Sequence, residues 1–375
     1  MKKLPLKKKI LFTFFVVLFT FVCLEIVARI AESFISSEAT QQISIMKENP
    51  NNTGSYRVKE NLHIVYNNRF TIKTNSHGMA WFEVKKTKRQ GVKRIAFLGD
   101  SFTFGQWADN FERSFVGIFA KGISQFKSYE ALNFGVGGYG FPDMFLLLQE
   151  KVMLFSPDYV VICTFNGNDF RDTYLGLNKY NIINGSCHWD EKNTAKKLGY
   201  TYRAKRKRFR KNFALYRLHR LYKKRRSRLE SQSIFFDTLK VGRKFTYQSF
   251  WSQKPYSQIA NKAKEESLSY LLKIYQFLQK RNIELLIVSI PFERQIYTKK
   301  LVGPDYDLSY PQKFIEKWSQ PRSIKYLDLM PAIREIAWKE KKRLYLSGDN
   351  HFNNLGHEAA GKKIAEWFIK EVVQK

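Results

Sequence analysis

The sequence predicts an α/β protein built on a parallel sheet that is covered on both faces. Three observations predict it. Five short apolar runs, at residues 94–98, 130–134, 158–165, 284–290 and 324–329, have the length and density of buried strands. Segments with helical apolar spacing lie between or after them, at 111–126, 141–155, 261–281 and 356–373. The connections between runs are too long for hairpins and suit crossovers, which set sequential strands parallel. A chain of 375 residues, 44% apolar and 16% aromatic, can bury a sizeable core and lies outside disordered compositions.

The first element is a membrane helix. Lys2, Lys3, Lys7, Lys8 and Lys9 precede an unbroken apolar run, Ile10–Leu24. That run alone spans about 22 Å as a helix, and continuation to Ile30 brings it to about 31 Å, the thickness of a hydrocarbon core. Glu25 and Arg29 then sit near enough to the far interface to reach water. The run also fits a cleaved signal, but the nearest small pair at cleavage spacing, Ser37 and Ala39, is far downstream, and Val22 spoils a lipoprotein box at Thr20–Cys23. The expectation is an uncleaved anchor over residues 1–35, its lysines cytoplasmic and everything after about residue 35 extracytoplasmic. Residues 36–90, polar around Lys47–Tyr56, then form a lead-in of irregular structure and short strands.

Charge is uneven. Lys plus Arg outnumber Asp plus Glu by 65 to 33, a net +32, and 16 of those cations lie between Lys196 and Arg228 with no acid among them. Half the net charge is therefore one insertion, at about 195–230. Within it Phe209, Phe213, Tyr216, Leu218, Leu221 and Tyr222 recur at near-helical spacing. The segment Arg203–Arg228 reads either as a solvated, partly helical excursion or as a helix lying on anionic headgroups. Nucleic acid is not expected as a partner, because the anchor puts the segment outside the cytoplasm. Three cysteines make no disulfide framework: Cys23 lies in the apolar run, Cys163 in a core strand, and Cys187 reads as exposed.

Sites in parallel sheets gather at the carboxyl ends of strands, and those ends carry the candidate chemistry of this chain. The first strand stops in "IAFLGDSFTFG", residues 95–105, where a sharp turn exposes Ser101. Asp100 or Ser101 would equally serve as a helix cap. The second strand runs into "NFGVGGYG", 133–140, whose glycines leave amide hydrogens bare but also suit any tight loop. The third ends in "FNGNDF", 165–170, where Asn168 can offer an amide or simply turn the chain. "SGDNHFNNLGH", 347–357, precedes the last helix and sets Asp349 two residues from His351.

In that order, Gly-Asp-Ser, a glycine loop after an Asn, Gly-Asn-Asp, then Asp and His near the C-terminus, the motifs resemble the SGNH, or GDSL-like, serine hydrolases over roughly residues 90–375. The resemblance implies a flavodoxin-like three-layer α/β/α sandwich, here a hydrolase domain over 91–375 preceded by one transmembrane helix. It implies that Ser101 is the nucleophile, that His351 is general base and then general acid, and that Asp349 orients it. The oxyanion hole would comprise the Ser101 amide, the Gly138 amide and the Asn168 side chain; Gly138 is chosen because it precedes Tyr139, as the motif's second glycine precedes its next residue. A serine hydroxyl needs such a base near neutral pH, and an imidazole with a pKa near 6.5 suits it. The carboxylate fixes the tautomer, and each donor at the oxyanion contributes about 2.7–4 kcal/mol.

One departure bears on reaction type. Asp349-Asn350-His351 is shorter than the family's usual Asp-x-x-His, with Phe352 at the usual histidine position, and the shorter spacing resembles a branch that includes polysaccharide-acetylating proteins. His357 reads as a first-turn structural residue; a metal site from Asp349, His351 and His357 is the lesser alternative. The implied function is hydrolysis of acyl or acetyl esters on cell-envelope carbohydrate or lipid through an acyl-serine, without cofactor or metal. The alternatives are transfer of the acyl group to a polysaccharide hydroxyl and a non-catalytic envelope-binding role.

Overall fold

A computed structural model describes residues 5–35, 45–51, 53–66, 70–183, 186–190, 196–197, 212–219, 222, 251–346 and 349–374. Most of Arg203–Arg228, the Ser37 and Ala39 pair and the Cys187 side chain lie outside the described residues. The chain packs as two units, Met1–Ile43 with Gly199–Gln232, and Ser44–Leu198 with Ser233–Lys375.

In the first unit, helix α1 spans Leu6–Ile35. Pro5 stands just before its first turn, where a missing N–H costs nothing, and no Gly or Pro follows to interrupt it. Its stretch Leu6–Ala31 is long and apolar enough to cross a membrane. Leu11, Phe12, Phe15 and Phe19 are exposed, which water would oppose and lipid would not.

The second unit is built on five parallel strands, β1 (Lys93–Leu98), β2 (Tyr129–Asn133), β3 (Tyr159–Phe165), β4 (Glu284–Ile290) and β5 (Lys325–Asp328). Each lies within one or two residues of the run expected for it. Their order in the sheet is β2-β1-β3-β4-β5, with every neighbouring pair parallel. This is the flavodoxin-like arrangement, and its order reverses between β1 and β3. Ile95–Leu98 and Val160–Cys163 are almost wholly buried, because helices cover both faces and leave no polar side.

Among the described residues, the α-helices of this unit are α2 (Ser101–Phe104), α3 (Phe115–Gly122), α4 (Phe141–Glu150), α5 (Asp169–Leu175), α6 (Gln258–Gln279), α7 (Glu293–Tyr297), α8 (Tyr310–Ser319), α9 (Met330–Glu340) and α10 (Asn354–Phe368). α3, α9 and α10 pack in one layer, and α4, α5 and α6 in another. Right-handed crossovers that run in opposite directions from β1 put these layers on opposite faces of the sheet. The helix expected at 111–126 is interrupted at Ser114, whose Oγ accepts from the Gly117 amide at 3.1 Å and so starts α3 after a single turn, Phe111–Arg113.

The lead-in is fold rather than tether: residues 45–90 belong to the same packed unit as the sheet. Met46–Glu48 pairs antiparallel with Tyr56–Val58, and His63–Tyr66 with Phe70–Lys73. Arg94, 1% exposed, holds this segment to the N-terminal end of β1. Its guanidinium donates to Glu130 at 2.8 Å and to the carbonyls of Lys86, Phe155 and Lys85 at 2.6, 2.9 and 2.8 Å. A buried charge needs that degree of satisfaction.

Candidate active site

β1 gives way to Gly99, where only glycine fits. A Cβ there would lie 2.1 Å from Thr103 Oγ1 and 2.9 Å from the Cys163 carbonyl oxygen. Asp100 then caps α2 by accepting from the Phe102 amide at 2.9 Å, and Gly105 closes the turn in the left-handed region at φ 87°. Ser101 is the first residue of that one-turn helix. The cap expected of "GDS" is Asp100, which braces the turn, and Ser101 is left free of that task.

The structure brings His351 to Ser101 across 250 positions, with Nε2 2.7 Å from Oγ. On the other side of the ring, Nδ1 lies 2.5 Å from Asp349 Oδ1. Donation of Nδ1–H to the carboxylate leaves Nε2 as an acceptor for the serine proton. The ring is held by packing: Phe165 stacks on Phe102 at 4.1 Å, and Phe102 stacks on His351 at 5.0 Å, while Phe352 meets Phe102 edge-on. Phe352, at the family's usual histidine position, is wholly buried core. Ser101 is 8% exposed and the His351 side chain 21%, so the pair is largely enclosed yet still open to solvent.

The glycine loop crosses beside the serine. The Val136 amide donates to the Gly99 carbonyl at 3.0 Å, and a Cβ on Gly137 would sit 3.7 Å from Ser101 Cβ. Gly138 turns the loop at φ 79°. Asn168 stands at the start of α5, at the end of the strand beside β1. Its Nδ2 donates to Asp172 at 2.8 Å, and Asp172 is clamped by Arg171 Nε and Nη2 at 2.8 and 2.6 Å. An amide nitrogen carries two hydrogens, so one remains after the bond to Asp172.

Beneath the serine lie two acids displaced from their ordinary range. Burial pushes the Asp100 carboxyl up to about 6, and the neighbouring Asp172 adds to this. Burial, with Asp100 nearby, holds Asp169 well above the usual carboxylate range. His357 lies elsewhere. It is wholly buried under α3; its Nδ1 accepts from the Phe115 amide at 3.3 Å and its Nε2 faces the Gln106 carbonyl at 3.4 Å. Both ring nitrogens are taken by backbone groups, so His357 does not join Asp349 and His351 as a ligand. Among the described residues no three His, Cys, Asp or Glu side chains gather as a metal site.

One set of contacts near the site, from the lead-in to the glycine loop, escapes sequence reasoning. Tyr56 from the lead-in donates its hydroxyl to the Gly137 carbonyl at 2.6 Å, and its own carbonyl accepts from the Tyr139 hydroxyl. Arg57 Nη1 also donates to that hydroxyl, at 2.8 Å. Tyr56 thus grips the loop on both sides of Gly138, a contact over more than 80 positions that leaves no local signal. The Asn168–Asp172 bond was findable, because residues four apart share a helix face.

Residues 250–374 match the family model described as SGNH hydrolase-like domain, acetyltransferase AlgX. That is one third of the chain. No curated protein matches the sequence. Among solved structures, the chain is similar to an acetyl xylan esterase, AlAXEase, at 14% identity over 74% of this chain and 99% of that one, with a TM-score of 0.41. It is similar to a mutant of the acetyl-xylooligosaccharide esterase Axe2 from Geobacillus stearmophilus at 11% identity, over 76% and 96% of the two chains, with a TM-score of 0.43. A GDSL-like lipase from Bacteroides thetaiotaomicron VPI-5482 is similar at 11% identity over 77% and 93%, with a TM-score of 0.39.

Proposed function

We propose that this chain, SGNH hydrolase-like in its motifs, its sheet and its matched C-terminal part, cleaves carboxylic esters through an acyl-serine intermediate while anchored to a membrane by α1. The observation that carries the reading is the 2.7 Å approach of Ser101 Oγ to His351 Nε2, with Asp349 on the opposite nitrogen. Ser101 Oγ attacks the ester carbonyl and its proton passes to His351 Nε2. The tetrahedral oxyanion is received by the amides of Ser101 and Gly138 and by Asn168. Collapse breaks the bond to the alcohol, which leaves with the proton from His351. Water then repeats the sequence on the acyl-serine and releases the acid. The favoured substrates are acetyl or acyl esters of envelope glycan or lipid, from the expected extracytoplasmic location of residues after about 35.

The matched family description favours a second reading, in which a sugar hydroxyl replaces water at the acyl-serine. The two differ only in what enters the site after the alcohol leaves, so both need the same Ser101, His351 and Asp349. Fluorophosphonate labelling of the folded chain, lost in Ser101→Ala, tests the shared step. An unlabelled wild type would favour the non-catalytic envelope-binding reading. Acetate release and acetyl transfer, measured from an aryl acetate with and without an acceptor polysaccharide, separate hydrolysis from transfer.

A further inference from the structure

Helix α1 carries one acid within a span that tolerates few. Glu25 lies six residues before the end of the apolar stretch Leu6–Ala31, and its side chain is only 12% exposed. An ionisable side chain at that depth needs partners. One is Arg29, a turn further on, with Nε 3.0 Å from Glu25 Oε1. The others come from a distant part of the sequence: the amides of Ala214 and Leu215 donate to Glu25 Oε1 and Oε2 at 2.8 and 3.2 Å. Arg29 Nη2 donates to the Asn212 carbonyl at 3.0 Å, and the Phe213 ring meets Phe21 edge-on at 5.5 Å. Glu25 therefore caps the helical run 214–219 from outside it, satisfying amides that a helix start leaves bare.

The docked run is the middle of the basic insertion. Ala214 is buried, and Phe213, Leu215, Tyr216 and Leu218 are half-buried. Arg217 lies within it, and Lys211 and Arg220 are bonded directly to its described ends. The 14 cations of 203–228, with no acid among them, are thus covalently tied to a segment held at the outer end of the membrane helix. We infer that Glu25 and Arg29 pin this insertion at the membrane interface, with anionic lipid headgroups as its partner. The inference rests on the anchored reading of α1 and is independent of the reaction at Ser101. Apolar and aromatic side chains beside Phe21 suit the acyl boundary, and the cations suit the headgroup layer.

The test uses the full chain in nanodiscs of phosphatidylcholine alone or with one third phosphatidylglycerol, under limited trypsin. Cleavage within 203–228 is expected to be about tenfold slower on the anionic discs at low salt, and the difference to vanish at high salt. Glu25→Leu keeps the span apolar and removes the cap; it is expected to lose most of that protection while turnover of a soluble aryl ester stays unchanged. Equal cleavage on both lipids would overturn the proposal. So would a Glu25→Leu variant as protected as the wild type, or protection supplied equally by a soluble anionic polysaccharide on phosphatidylcholine discs. An N-terminus found cut after α1, by intact mass, would instead overturn the anchored reading on which the proposal stands.

Discussion

His351 does different work from His357, six positions on, and surroundings alone separate them. His351 is partly exposed, with Ser101 on one nitrogen and Asp349 on the other. His357 is sealed, and burial pulls its imidazole down to about 4 from the ordinary 6.5. The unfolded chain then binds a proton that the fold refuses. Stability from this group is complete above pH 6.5 and is lost as pH falls toward 4, by on the order of 2–3 kcal/mol. His357→Gln is expected to be weaker than wild type at pH 7 yet to lose less between pH 7 and pH 5, measured by urea unfolding at both. At the same scale Tyr56 positions the proposed oxyanion loop without touching substrate. Tyr56→Phe removes its bond to the Gly137 carbonyl, and kcat is expected to fall about tenfold with KM little changed. A rise in KM alone would place Tyr56 in substrate binding instead.

Among the elements, the turn after β1 and the loop after β2 form one assembly, locked by close backbone approach. A Cβ on Gly135 would lie 2.2 Å from the Phe104 amide nitrogen, which backbone cannot yield without moving α2 and Ser101 with it. Gly135→Ala is therefore expected to cost about 2–4 kcal/mol and to abolish fluorophosphonate labelling even in the folded fraction. The strand ends and this glycine loop were legible in the sequence, because apolar runs and glycine clusters are local signals. Helices α8 and α9 were not. Both begin at Tyr310-Pro311 and Met330-Pro331, where proline reads as a breaker although it also suits a first turn.

For the whole molecule, the consequence is where the chain can be cut. The second unit begins at Ser44, and residues 45–90 supply Tyr56 to the glycine loop and carbonyls to Arg94. Removing residues 1–43 is expected to give a soluble protein that still labels at Ser101. Removing 1–90 is expected to give an insoluble or unlabelled one, scored by gel filtration and labelling together. Equal solubility and labelling of both truncated chains would show that the lead-in is dispensable.

The sequence by itself determined the parallel sheet and the residue types at three strand ends, because periodicity and turn chemistry act over a few neighbours. It also paired Asp349 with His351 through their spacing. Only the tertiary structure decided that Tyr56 grips the glycine loop, that His357 is spent on backbone groups and that Glu25 caps a segment some 190 positions away. Those contacts join surfaces that exist only after the layers have packed, and no local pattern encodes which distant polar group will satisfy a buried one.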